Sequence, residues 1–162
     1  MGDSVQMKRY QSILLVDDDE EILRMLSRIL ELEGYDVAVA AGGEAGLALL
    51  EERKPDLVIL DIMMPGLDGF QVLALMRQRS NVPVIMLTAK CEATTVRDAI
   101  GLGADDYVRK PFGTRELVAR IRTKLRRAGP GVPHFGELQT PEKMPQRRAR
   151  APHVRQEEES DA

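Results

Sequence analysis

Cysteine is nearly missing from this chain: Cys91 is the only one among 162 residues. That excludes an intrachain disulfide and every metal module built from several thiolates, and it fits a reducing compartment. Tryptophan is absent and aromatic residues make up 4%. A core must therefore come from aliphatic side chains, which the 43% hydrophobic fraction supplies. No apolar run approaches the ~20 residues needed to cross a membrane. The polar start, Met1 to Gln11, lacks the roughly 7–15-residue apolar stretch of a secretory signal. We expect a soluble cytoplasmic protein that makes no use of a membrane. An excess of positive charge is missing too. The formal net charge is −3, which gives no reason to expect non-specific nucleic-acid binding.

What the chain does have is a set of short apolar runs, each ending in a polar residue. Ile13-Leu14-Leu15-Val16 runs into Asp17-Asp18-Asp19, and Leu57-Val58-Ile59-Leu60 runs into Asp61. Val84-Ile85-Met86-Leu87 ends in Thr88, and Tyr107-Val108-Arg109 ends in Lys110-Pro111. Such runs suit strands buried on both faces of a parallel sheet. Between them lie segments of helical period. Ile22, Met25, Leu26 and Ile29 form one apolar face, capped by Asp18 or Asp19 and ended by Gly34. Val37-Ala38-Val39 reads as a further strand and Gly43 to Glu51 as a second helix. After a turn at Gly66-Leu67-Asp68-Gly69, a third helix carries Phe70, Leu73 and Ala74 inward. A fourth spans roughly Ala93 to Leu102 and stops at Gly103; a fifth starts near Thr114 and buries Leu117, Val118, Ile121 and Leu125. A strand-helix unit thus repeats in type five times from Arg9 to Arg127, which predicts a doubly wound α/β fold with a parallel sheet.

Ligands of such sheets collect beyond the carboxyl ends of the strands. Four strand ends would bring an acidic cluster, a single carboxylate, a hydroxyl and an ammonium to one edge. Each residue alone has an ordinary reading. Acid pairs before a helix are caps, Asp61 opens a turn, Thr88 bonds the backbone at a strand end, and Lys110 is a solvated lysine. Together they describe phosphoryl transfer to aspartate. Asp17, Asp18 and Asp61 offer oxygens that suit Mg²⁺, a hard cation that keeps several waters, whereas Ca²⁺ would want more protein oxygens. Lys110 supplies fixed positive charge and Thr88 a hydroxyl donor. Catalysis of that transfer is mostly positioning and stabilisation of charge.

The stretches ILLVDDDE from Ile13, LDIMMPGLDG from Leu60, Leu87-Thr88-Ala89 and GADDYVRKPF from Gly103 carry a resemblance. From about Arg9 to Arg127 the chain is similar to the receiver domain of bacterial two-component response regulators. The resemblance implies a flavodoxin-like (βα)5 fold with strand order 2-1-3-4-5; a chemotaxis member of that family is a standard example of this order. It makes Asp61 the acceptor of a phosphoryl group from a sensor histidine kinase. Asp18, Asp61 and the main-chain carbonyl of Met63 become Mg²⁺ ligands, with Asp17 acting largely through water. Lys110 is implied to pair with Asp61 across a cis Lys110-Pro111 bond, Thr88 to bind a phosphoryl oxygen, and Tyr107 to move inward. From the residues alone, Tyr107 reads equally as a half-buried aromatic on an edge strand. We expect no enzyme turnover beyond self-phosphorylation and self-dephosphorylation. A Mg²⁺-dependent phosphohydrolase of the aspartyl-nucleophile class is the competing reading. It would want a second Asp two residues after the nucleophile, where Met63 stands. That apolar Met63, with Lys90 two residues after Thr88, implies a long-lived phosphoryl group.

The residues from Gly103 to Tyr107 and from Glu116 to Ile121 most resemble OmpR/PhoB-type regulators. Those dimerise through the fourth helix, fifth strand and fifth helix by crossed ion pairs, a set matched here by Asp106, Glu116, Arg120 and Arg122. Gly101 replaces the usual acid near the end of the fourth helix, and the basic residue near its start is shifted to Arg97. An exposed solvated face remains the alternative. Composition changes at Ala128-Gly129-Pro130-Gly131, and five of the nine prolines follow. A basic stretch around Arg147 precedes an acidic one, Glu157 to Asp161. Such a segment buries too little to offset its chain entropy, so we expect 128–162 to be a disordered tail. Phe135-Gly136-Glu137-Leu138 resembles the opening strand of a winged-helix domain, but no recognition helix follows. We do not expect this chain alone to bind DNA.

Overall fold

Every residue of β3 (Leu57–Asp61) and β4 (Val84–Thr88) is buried, and in β1 (Ser12–Val16) all but the first are. Strands covered on both faces have no reason to alternate, so these three read as unbroken apolar runs. They form the centre of a parallel sheet of order β2-β1-β3-β4-β5, with β2 (Asp36–Ala40) and β5 (Asp106–Arg109) at its edges. This is the flavodoxin-like α/β fold that the alternating pattern and the resemblance predict. The computed structural model describes residues 9–89 and 93–127. The expectations placed on Lys90 and on residues 128–162 lie outside the described residues.

The helices are α1 (Glu20–Leu32), α2 (Gly43–Arg53), α3 (Gly69–Arg77), α4 (Ala93–Gly101) and α5 (Thr114–Arg127). Two apolar clusters divide between the faces of the sheet. Leu14, Val58, Leu60 and Met86 meet Leu50, Val72, Met76 and Ala99 on the side of α2, α3 and α4. Ile13, Leu15, Ile59 and Leu87 meet Leu23, Leu26, Leu117 and Ile121 on the side of α1 and α5. Each such side chain contributes about 1.5–3 kcal/mol on burial. α5 buries Leu117, Val118, Ile121 and Leu125 as its pattern predicts.

Two helices face inward differently from the sequence reading. In α1 the buried residues are Leu23, Leu26 and Leu30. Ile22 and Ile29 are half-buried beside them, and Met25 is 47% exposed. In α3 the buried set is Gly69, Val72, Leu73 and Met76, while Phe70 and Ala74 are half-buried. An Asp68–Gln71 capping box starts α3, each side chain bonding the other's backbone N–H.

Candidate functional site

The parallel register decides which side chains share an edge. Val16 pairs with Leu60, Asp61 with Leu87, and Thr88 with Arg109. The residues that end or follow β1, β3, β4 and β5 therefore stand side by side. At the next step the backbone continues the ladder: the Ile62 N–H donates to Leu87 O at 3.0 Å, and the Lys110 N–H to Thr88 O at 2.7 Å. Among the described residues, Asp17, Asp61 and Thr88 are the only buried polar or charged side chains. All three lie at this edge.

Asp19 caps α1, its Oδ1 accepting the N–H groups of Glu21 and Ile22. The helix N-terminus is thus served without Asp18 or the side chain of Asp61. Asp17 turns one oxygen to the Asp19 N–H at 3.0 Å and the other to Lys110 Nζ at 2.9 Å. The same ammonium lies 3.2 Å from Asp61 Oδ1. Lys110 thus bridges two buried carboxylates and sits closer to Asp17 than to Asp61, the partner that the resemblance implies. The Lys110-Pro111 bond is cis, as expected.

Electrostatics at this edge is unbalanced. Burial and the neighbouring charge of Asp17 push the Asp61 carboxyl up to about 6, although Lys110 pulls the other way. Burial alone would lower Lys110, but its hydrogen bond to Asp17 and the charges of Asp17 and Asp61 outweigh that and raise it. Asp17, buried, Asp18, exposed, and Asp61, buried, each offer an oxygen, and the three oxygens lie within 4.8 Å of one another. Hard oxygen donors at this spacing, with the Asp61 carboxyl held up by burial and by the charge of Asp17, fit a small divalent cation.

Gly69 sets how closely α3 approaches β3. A Cβ there would stand 2.3 Å from Asp61 O and 2.6 Å from Ile62 Cα, while its N–H donates to Ile62 O at 2.8 Å. Beside Thr88 opens a cavity of about 560 Å³ lined by Met63, Met64, Pro65, Phe70 and Thr95 among others. Met63 is 52% exposed. Sequence reasoning found Asp17, Asp18, Asp61, Thr88 and Lys110, and the structure brings them to one edge. Tyr107 is half-buried and packs against the apolar cluster on the α2, α3 and α4 side. The close approach of Gly69 was missed, and so were the cavity's walls apart from Met63 and Thr88. The glycine had a signal in the Asp68-Gly69 pair, but as a turn.

Comparison with known proteins decides the family. Residues 13–122 match the model of the response regulator receiver domain. The chain belongs to the response regulator receiver family. This receiver is similar to the DNA-binding response regulator MtrA of Mycolicibacterium smegmatis, at 49% identity over 117 residues, covering 72% of this chain and 51% of that protein. The chain spans about half the length of the curated relatives it matches. Among solved structures, it is similar to a CheY-like receiver domain protein from Methanospirillum hungatei, with a TM-score of 0.71 and 35% identity over 74% of this chain and 97% of that one. A two-component response regulator from Clostridium difficile gives a TM-score of 0.72 at 28% identity, over 74% and 98% of the two chains. Among the described residues no helix is long and apolar enough to cross a membrane.

Proposed function

We propose that the receiver is a phosphorylation-controlled switch in which Asp61 accepts a phosphoryl group from the phosphohistidine of a sensor histidine kinase. One observation carries this reading: an ammonium bridges Asp17 and Asp61 beside a third carboxylate at the edge where the strands end. An Asp61 oxygen attacks phosphorus as the bond to the histidine nitrogen breaks, and the imidazole leaves with that electron pair. Lys110 neutralises charge on the acceptor and then on the phosphoryl oxygens. The Thr88 hydroxyl donates to one of those oxygens. Mg²⁺, held by Asp17, Asp18, Asp61 and the main-chain carbonyl of Met63, supplies charge neutralisation when bound. The added charge biases a two-state surface made of α4, β5 and α5, with Tyr107 moving inward as it switches.

That surface controls a partner or a homodimer. Within one chain Arg120 already pairs with Asp106 at 2.8 Å and with Glu116 at 3.1 Å, and Arg122 pairs with Glu33, just after α1, at 2.6 Å. Crossed pairing in a dimer would exchange these contacts, each worth about 0–1 kcal/mol at an exposed site. We do not extend the DNA binding named for MtrA to residues 9–127. A gel shift at low salt, with and without phosphodonor, tests that.

Intact mass after incubation with Mg²⁺ and a small phosphodonor tests the core of the proposal. Wild type should gain one phosphoryl group, about 80 Da, and Asp61→Ala should gain none. An adduct that persists in the variant refutes the acceptor assignment. Turnover of phosphate esters beyond one equivalent would instead favour a phosphohydrolase.

A further inference from the structure

Every other helix buries at least three residues, but among the described side chains of α4 only Ala99 is buried. Ile100 is 60% exposed, and Leu102 just beyond the helix is 41% exposed. A helix with so little buried among its described side chains belongs to the low-stability end of a fold unless something else grips it. The grip is at its C-terminal end, and it is polar. Arg77, the last residue of α3, has five N–H donors. They make five bonds: Nε and Nη2 to Gly103 O at 3.0 and 2.8 Å, Nη2 to Asp105 Oδ2 at 3.0 Å, and Nη1 to Val82 O and Ser80 O at 2.7 and 3.3 Å.

Asp105 completes the clamp. Its Oδ2 also accepts the Val84 N–H at 2.8 Å, and its own N–H donates to Val84 O at 2.9 Å. Gly103 takes φ +99°, and a Cβ there would lie 3.1 Å from Arg77 Nε, so the turn closes directly over the guanidinium. The end of α3, the start of β4 and the turn after α4 are thereby joined. The opposite end of α4 meets the acceptor edge, where Thr95 lines the same cavity as Thr88 and Met63.

We propose that Arg77 and Asp105 form the pivot of α4, fixing its last turn so that rearrangement beside Thr88 swings its first turn rather than moving the whole helix. The input to this pivot rests on the phosphorylation proposed above; the pivot itself does not. Amide hydrogen exchange of the full chain, read residue by residue, tests it. In the unphosphorylated protein, Leu102 to Asp105 should exchange at least about tenfold more slowly than Arg97 and Asp98 inside the helix. In Arg77→Gln and Asp105→Asn that difference should shrink to less than about threefold. Arg77→Lys, which keeps the charge and loses the fork, should fall between. The yield of the Asp61 adduct should stay unchanged in all three. Phosphorylation of wild type should alter exchange at Arg97 and Asp98 and spare Leu102 to Asp105. Equal exchange at both ends of the wild-type helix, or a gradient that survives the substitutions, overturns the pivot. An equal response of both ends to phosphorylation does so too. If a variant fails to fold, the wild-type gradient and the milder Arg77→Lys decide. A chain that shows the gradient yet takes up no phosphoryl group sinks the proposed function and leaves the pivot standing.

Discussion

Removing the carboxylate of Asp61 should make the metal-free protein more stable, because the fold holds that charge where it is poorly accommodated. Asp61 is 4% exposed and stands beside Asp17. Its carboxyl is pushed from 3.8 to about 6, a gap that at ~1.4 kcal/mol per pH unit corresponds to roughly 3 kcal/mol. Because the folded value is the higher one, this group's contribution to stability is fully present below about pH 4 and is lost as pH rises through about 6. Asp61→Asn also forfeits the ion pair to Lys110 at 3.2 Å, and a buried amide needs partners of its own. The gain should therefore be about 1–2 kcal/mol at pH 7.5 rather than the full amount. Urea unfolding in EDTA across pH 4 to 7.5 measures it. The variant and wild type should be nearly equal at pH 4, with the gap opening towards neutrality. Both histidines, His134 and His153, lie outside the described residues, and subtraction of the variant's curve removes titrations common to both proteins. Saturating Mg²⁺ should then stabilise wild type by about 2.7 kcal/mol at a hundred times Kd, and the variant by less. A variant no more stable than wild type at pH 7.5 in EDTA refutes the reasoning, as does a gap that does not change with pH.

Two further outcomes follow from the edge of the site. Met63 is half-exposed beside the cavity at Thr88 and cannot orient water, so Met63→Asn or Met63→Asp should shorten the phosphoryl lifetime by about tenfold; unchanged decay of the phosphorylated protein removes the idea. Gly69→Ala would put a methyl group 2.3 Å from the carbonyl oxygen of Asp61, and backbone cannot rotate away, so the fold should lose about 2 kcal/mol. A wild-type urea midpoint for that variant would show that α3 can shift freely.

How much of this was legible in the sequence depended on how many solutions each pattern allowed. In α5 the apolar residues Leu117, Val118, Ile121 and Leu125 sit among Arg115, Arg120, Arg122 and Lys124, so only one face could turn inward, and that face did. α1 offered two sets that share Leu26, the expected Ile22-Met25-Leu26-Ile29 and the alternative Leu23-Leu26-Leu30. Periodicity gives the spacing of a face and not its phase when apolar residues are adjacent. The structure buries the leucines and leaves Met25 at the surface. α3 departs in part in the same way: Leu73 is buried as its pattern predicts, but Val72 and Met76 accompany it and Phe70 and Ala74 are only half-buried.

The edge where the strands end was easier to read than the helices, because topology rather than rotamers brings it together. Once four apolar runs are parallel strands, their ends must share an edge, and the residues there are fixed by position along the chain. What chain position cannot give is the choice among partners at that edge. Lys110 could reach either carboxylate, and only the packed geometry shows it at 2.9 Å from Asp17 and 3.2 Å from Asp61. Arg77 makes the point more sharply. At the end of α3 it reads as an ordinary basic residue favourable to the helix dipole. Its carbonyl acceptors belong to Ser80, Val82 and Gly103, and backbone oxygens leave no mark in the identity of the residue that carries them. A side chain whose partners are backbone is invisible to pattern and visible only in the fold. The coupling of α4 to the rest of the receiver should therefore be sought in such contacts as much as in the charged side chains that the motifs announce.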